Sequence, residues 1–123
     1  MKKSRILLVD DEPALLYAIE TYLVERGYEV HSASDPSRAN AMLATTSYDV
    51  VVTDMRLSAS PDSEGLNVIR YIRDNRLTAR VVVLSGTASR DTEWKARELG
   101  VDRFLHKPVP LAELAGIVDV LTA

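Results

Sequence analysis

Three apolar runs, Ile6-Leu7-Leu8-Val9, Val50-Val51-Val52 and Val81-Val82-Val83-Leu84, constrain this chain more than anything else in it. Each is too short for a helix and lacks polar alternation. Such runs read as strands buried on both faces, which requires a parallel sheet with helices on either side. The segments between them fit that demand. Leu15, Ile19, Tyr22 and Leu23 form a helical stripe that Pro13 opens and Gly27 stops. Asp35 and Pro36 cap and start a second helix running to about Thr45. Gly65–Asn75 places Leu66, Ile69 and Ile72 inward, Asp91–Leu99 is helical up to Gly100, and Pro110–Leu121 sets Leu111, Leu114, Val118 and Leu121 on one face. Two shorter strands, Glu29–Ala33 and Arg103–Leu105, complete five strand–helix units. The expected class is α/β, a parallel sheet joined by right-handed crossovers. The pattern leaves strand order open.

The ends of these runs carry acids. Asp10 and Asp11 follow the first, and Asp54 ends the run that continues through Thr53. Open α/β sheets keep their ligand sites at the carboxyl ends of strands. One strand-end Asp is more often a helix cap, and Asp11 could cap the helix at Pro13. An acid pair beside a third acid is different, because three carboxylates repel at neutral pH. They need a cation, and hard oxygen donors point to Mg²⁺ or a similar ion, with one carboxylate free to act as a nucleophile. Ser85 and Gly86 end the fourth strand, where a hydroxyl can donate to an oxyanion. Lys107, before Pro108, follows the fifth. A lysine at that rim can pair with an acid at rest and with a phosphoryl oxygen afterwards.

Composition narrows the alternatives. The 123 residues suit one domain spanning 1–123, and a chain of this size buries roughly two-thirds of its unfolded surface. Cysteine is absent, which removes disulfides and thiolate chemistry. The net charge is −3 and basic residues are not massed, so no direct nucleic-acid binding is expected. The apolar stretch behind the basic Met1–Arg5 segment is too short for a signal core or a membrane span. A cytoplasmic domain away from the membrane is the expectation.

Four segments, in order, carry a family resemblance: Leu8-Val9-Asp10-Asp11-Glu12-Pro13, Val51-Val52-Thr53-Asp54-Met55, Val83-Leu84-Ser85-Gly86 and Phe104-Leu105-His106-Lys107-Pro108. Across essentially its whole length the chain resembles the response regulator receiver domain of two-component signalling. The resemblance implies a flavodoxin-like, doubly wound sheet of order 2-1-3-4-5 with five helices. It implies that Asp54 accepts a phosphoryl group from a histidine kinase or histidine phosphotransfer protein. Mg²⁺ would be held by Asp11 and Asp54 directly, by Asp10 partly through water, and by the backbone carbonyl of Arg56. Ser85 and Lys107 would bind phosphoryl oxygens, and the Lys107–Pro108 peptide would be cis. Phe104 stands at the switch-aromatic position and would turn inward as Ser85 moves. The surface formed by the fourth helix, fifth strand and fifth helix would then change, for an output domain, a downstream protein or a phosphorylation-dependent homodimer to read. The domain is expected to be a signalling module, not an enzyme, although it assists its own phosphorylation and dephosphorylation.

One segment departs from the family. Arg56–Glu64, rich in Ser, Pro and Asp, is about three residues longer than usual, with Ser58 where the family commonly has proline. Two other readings fit these residues less well. A Mg²⁺-dependent aspartyl-nucleophile phosphohydrolase needs a second Asp two residues after its nucleophile, and Asp10-Asp11-Glu12-Pro13 fails that pattern. A non-phosphorylated pseudo-receiver would lack an acid or the lysine. Trp94 reads as a packing residue, and His31 and His106 have no metal-ligand spacing.

Overall fold

A computed structural model describes residues 3–55, 63–86 and 90–123, apart from the side chains of Ser63 and Glu64. The expected alternation is present: β1 Arg5–Val9, α1 Pro13–Glu25, β2 Glu29–Ala33, α2 Pro36–Thr45, β3 Val50–Asp54, α3 Ser63–Asp74, β4 Arg80–Ser85, α4 Arg90–Glu98, β5 Arg103–His106 and α5 Leu111–Thr122. All four strand pairings are parallel, in the order β2-β1-β3-β4-β5. β3 is therefore central, and its carboxyl end lies between those of β1 and β4.

Alternate side chains of the sheet feed two cores. Leu7, Val9, Val51, Val81 and Val83 meet Ala39, Leu43, Leu66, Ile69, Ile72 and Ala96 from α2, α3 and α4. Ile6, Leu8, Val50, Val52, Val82 and Leu84 meet Ile19, Leu23, Leu114, Ala115 and Val118 from α1 and α5. This double cover is why the central strands lack polar alternation. β2, at the edge, is only partly buried, in keeping with its mixed sequence Glu-Val-His-Ser-Ala.

The helix ends follow local rules. The Asp35 carboxylate accepts from Arg38 N at 2.8 Å, capping α2 as expected. Asp11 does not cap α1; Glu12 holds the N-cap position and makes no side-chain cap bond. Gly27 at φ +99° and Gly100 at φ +79° turn the chain out of α1 and α4 in conformations that favour glycine. Arg73, at the end of α3, donates to the carbonyls of Leu99 and Gly100, both at 2.7 Å, and so ties α3 to the C-terminal end of α4. Among the described residues, no helix is long and apolar enough to cross a membrane.

Candidate functional site

The sheet gathers its polar groups at one rim. β1 delivers Asp10, the adjoining turn delivers Asp11, β3 delivers Asp54, β4 delivers Ser85, and the chain leaving β5 delivers Lys107. Side-chain oxygens of Asp10, Asp11 and Asp54 lie within 4.8 Å of one another. Asp10 and Asp54 are buried, whereas Asp11 is exposed at the mouth. Lys107 closes the cluster, its Nζ 2.9 Å from Asp54 Oδ2 and 3.3 Å from Asp10 Oδ2. The Lys107–Pro108 peptide is cis. Lys107 N donates to Ser85 O at 2.8 Å, which fastens the lysine-bearing segment to the end of β4. Ser85 itself is buried at 1 % exposure, so its hydroxyl lies inside the rim.

The charges in this rim do not balance. Asp10 is held above the ordinary carboxylate range, chiefly because burial penalises its ionised form. The backbone N–H of Glu12, donating to Asp10 Oδ1 at 3.0 Å, works the other way, and the Asp54 charge adds to the rise. Burial alone would discourage a charged Lys107. The hydrogen bond to Asp54 and the charges of Asp10 and Asp54 outweigh it, so the ammonium is held more firmly than usual. Three carboxylates against one ammonium leave a local excess of negative charge. All the donors are hard oxygens, which suits Mg²⁺ or a similar divalent ion. The site can thus hold a cation, neutralise an incoming phosphoryl group and present a carboxylate to it.

Two residues read from the sequence stand differently in the structure. Trp94, expected to pack, is 63 % exposed on the outer side of α4, because the short helix turns Ala96 to the core instead. Phe104, expected to turn inward on switching, is already inward at 8 % exposure and belongs to the core under α2–α4. The Arg97 guanidinium lies 5.7 Å from its ring centroid, and His106 packs against it at 5.5 Å. Glu93 holds Arg97 at 2.9 Å and lies 3.5 Å from His106 Nε2. The proposed Arg56 carbonyl ligand, and the long segment up to residue 62, lie outside the described residues.

Sequence reading passed over Gly65, whose N–H donates to the carbonyl of Met55 at 3.0 Å. Its only sequence signal was a glycine at the start of a helix, a place where other residues are better formers.

A family model described as the response regulator receiver domain matches residues 6–119. The chain is 34 % identical over 118 residues to the response regulator protein PilR of Pseudomonas aeruginosa, covering 96 % of this chain and 26 % of that protein. It is 36 % identical over 108 residues to the transcriptional regulatory protein KdpE of Mycobacterium tuberculosis, covering 88 % of this chain and 46 % of that protein. The chain thus spans only about a quarter to a half of these curated relatives' length. Among solved structures, a response regulator receiver protein from Pseudomonas putida aligns with a TM-score of 0.88 at 30 % identity, covering 98 % of each chain. A response regulator protein from Burkholderia pseudomallei, described with a phosphorylated aspartic acid, a calcium ion and citrate, aligns with a TM-score of 0.82 at 26 % identity. It matches 98 % of this chain and 74 % of that one.

Proposed function

The chain belongs to the response regulator receiver domain family, the phosphoacceptor module of two-component signalling, and on that premise we propose that Asp54 is the residue that takes the phosphoryl group. The donor is a phosphohistidine on a histidine kinase or phosphotransfer protein, and the exchange takes place in the cytoplasm. The observation that carries this reading is the position of Asp54. It is the lone acid at the end of the central strand, beside an acid pair, with the Lys107 ammonium 2.9 Å from its carboxylate.

The chemistry follows from that placement. An Asp54 carboxylate oxygen attacks phosphorus in line, the P–N bond to the donor imidazole breaks, and an acyl phosphate forms. Asp10, Asp11 and Asp54, with the backbone carbonyl of Arg56 that the resemblance implies, would hold Mg²⁺, which would supply charge neutralisation for the carboxylates and the phosphoryl oxygens. Lys107 transfers its ion pair from the Asp54 carboxylate to a phosphoryl oxygen. Ser85 donates its hydroxyl to another. This demand on Ser85 is felt next door, since Ser85 pairs in register with His106 and Val83 with Phe104.

Phe104 is buried from the start, so switching in this chain is better described as a loosening or tightening of the α4–β5 contact than as a ring swinging in. Arg97 over Phe104, and Glu93 between Arg97 and His106, are the groups that would register it. A downstream output domain, a separate target or a second copy reads the resulting surface. Acetyl phosphate with Mg²⁺ tests the proposal: intact mass should show one added phosphoryl group on the wild type and none on Asp54→Asn. Equal labelling of the two would overturn it.

A further inference from the structure

Gly65 is where α3 touches the site, and the touch is backbone on backbone. A Cβ at this position would lie 2.5 Å from Met55 Cα, 2.6 Å from the Asp54 carbonyl oxygen and 2.8 Å from the Met55 carbonyl oxygen. Ordinary carbon contacts are nearer 3.5–4 Å, so something must move by roughly 1 Å. No flexible side chain stands in the way to move aside. Either the first turn of α3 lifts, or the end of β3 retreats.

The surroundings decide which. α3 is held by Leu66, Val68, Ile69 and Ile72, all between 0 and 3 % exposed, and lifting it would open that core. The end of β3 sets one buried side chain, Met55 at 1 % exposure, against the four of α3. Beyond its pairing with β4, Met55 N reaches Leu84 O at 3.2 Å, and Gly65 N reaches Met55 O. We infer that Gly65 is a positioning residue for the phosphoacceptor. Its missing Cβ lets α3 press on the peptide between Asp54 and Met55, and this contact fixes the Asp54 carboxylate against Lys107, Asp10 and Asp11.

The inference rests on the reading of Asp54 as phosphoacceptor only for its consequence in phosphorylation; the positional claim is tested without it. Gly65→Ala should push the Asp54 carboxylate out of a cluster in which distances of 2.9 and 3.3 Å matter. Displacements near 1 Å in such sites cost on the order of a hundredfold in rate. We expect Mn²⁺ affinity, read by water-proton relaxation, to fall about tenfold, and labelling by acetyl phosphate to slow at least as much. The ¹³C carboxyl resonance of Asp54 in the metal-free protein should shift as well. Leu66→Ala is the comparison, since it loosens α3 without pushing on β3. It should lower the urea midpoint and leave Mn²⁺ affinity and the Asp54 resonance unchanged.

If Gly65→Ala melts early but binds Mn²⁺ like the wild type, with an unmoved Asp54 resonance, Gly65 is structural and the inference is overturned. That result leaves the proposed function standing, whereas labelling of Asp54→Asn would remove the latter and not the former. A measurement on the wild type covers the case in which Gly65→Ala does not fold. Coupling is reciprocal, so saturating Mg²⁺ should slow hydrogen exchange of the Gly65 amide severalfold more than that of Ile69 further along α3. Equal slowing at both positions would also overturn the inference.

Discussion

Replacing Lys107 by methionine should destabilise the metal-free protein and at the same time tighten its hold on Mg²⁺. The ammonium lies 2.9 Å from Asp54 and 3.3 Å from Asp10, whose side chains are 8 % and 5 % exposed. At an effective dielectric of ~20, each contact attracts by about 5–6 kcal/mol. Desolvation of Lys107, itself about a quarter exposed, offsets much of this. Breaking a pair at this depth leaves a net loss of about 2–4 kcal/mol. Methionine keeps the length of the stem, so the loss reports charge and not packing. The sign reverses for the metal, because ammonium and cation compete for the same carboxylates. A divalent cation held by those carboxylates would be repelled by the ammonium, so Mg²⁺ affinity should rise by roughly tenfold or more once that charge is removed. Urea unfolding at pH 7 with chelator, and again with saturating Mg²⁺, measures both halves. The deficit should be large without metal and small with it. It should also narrow as pH falls through the raised pKa of Asp10, where that partner takes up a proton. In the wild type, the raised pKa of Lys107 means its contribution is present below the ordinary lysine value of 10.5 and is lost as pH climbs through its folded value. An unchanged midpoint in the metal-free variant, or weaker Mg²⁺ binding by it, would refute the electrostatic reasoning.

The other predictions concern neighbouring groups. Asp10 has a raised pKa, so its contribution to stability is present below the unfolded value of 3.8 and is lost as pH rises through the folded value. Asp10→Asn should therefore raise the urea midpoint of chelated protein at pH 7, with the gain fading towards pH 3; a lower midpoint at pH 7 would contradict this. Ser85→Ala should leave phosphorylation possible but weaken the response to beryllofluoride in NMR shifts over 90–121, and an undiminished response would remove Ser85 from the coupling. Phe104→Ala should cost about 3–5 kcal/mol because the ring is already in the core. Trp94→Ala should stay within about 0.5 kcal/mol of the wild type, and a larger change in urea midpoint would mean that Trp94 packs after all.

Periodicity and punctuation made much of the fold legible. Asp35 caps α2, Pro13 starts α1, Gly27 and Gly100 stop their helices, and the uninterrupted valines of β3 and β4 are the double cover written in residues. Boundaries moved by a residue or two at α3, α4, β5 and α5, where fraying and capping compete. Strand order came from the family resemblance and not from periodicity. The acids, Ser85 and Lys107 were legible because they follow strands, and strand ends converge in any parallel sheet. The state of Phe104 was not legible, since it is set by packing against segments distant in sequence, with Arg97 of α4 over its ring. Trp94 misled because hydrophobicity suggests burial while helix phase decides it. Gly65 left only the weak signal of a glycine opening a helix, because its role lies in a close approach between segments and not in its own local conformation.

Of three clustered carboxylates, Asp54 is the one proposed to carry the phosphoryl group. Borohydride reduction tests it most directly. An aspartyl phosphate is reduced to homoserine, whereas a free carboxylate is untouched, so sequencing the peptides of acetyl-phosphate-treated, reduced protein locates the acyl phosphate. Homoserine is expected at position 54 alone, dependent on Mg²⁺ in the labelling step. Homoserine at position 10 or 11, or none anywhere in a protein whose intact mass shows the added group, would contradict it.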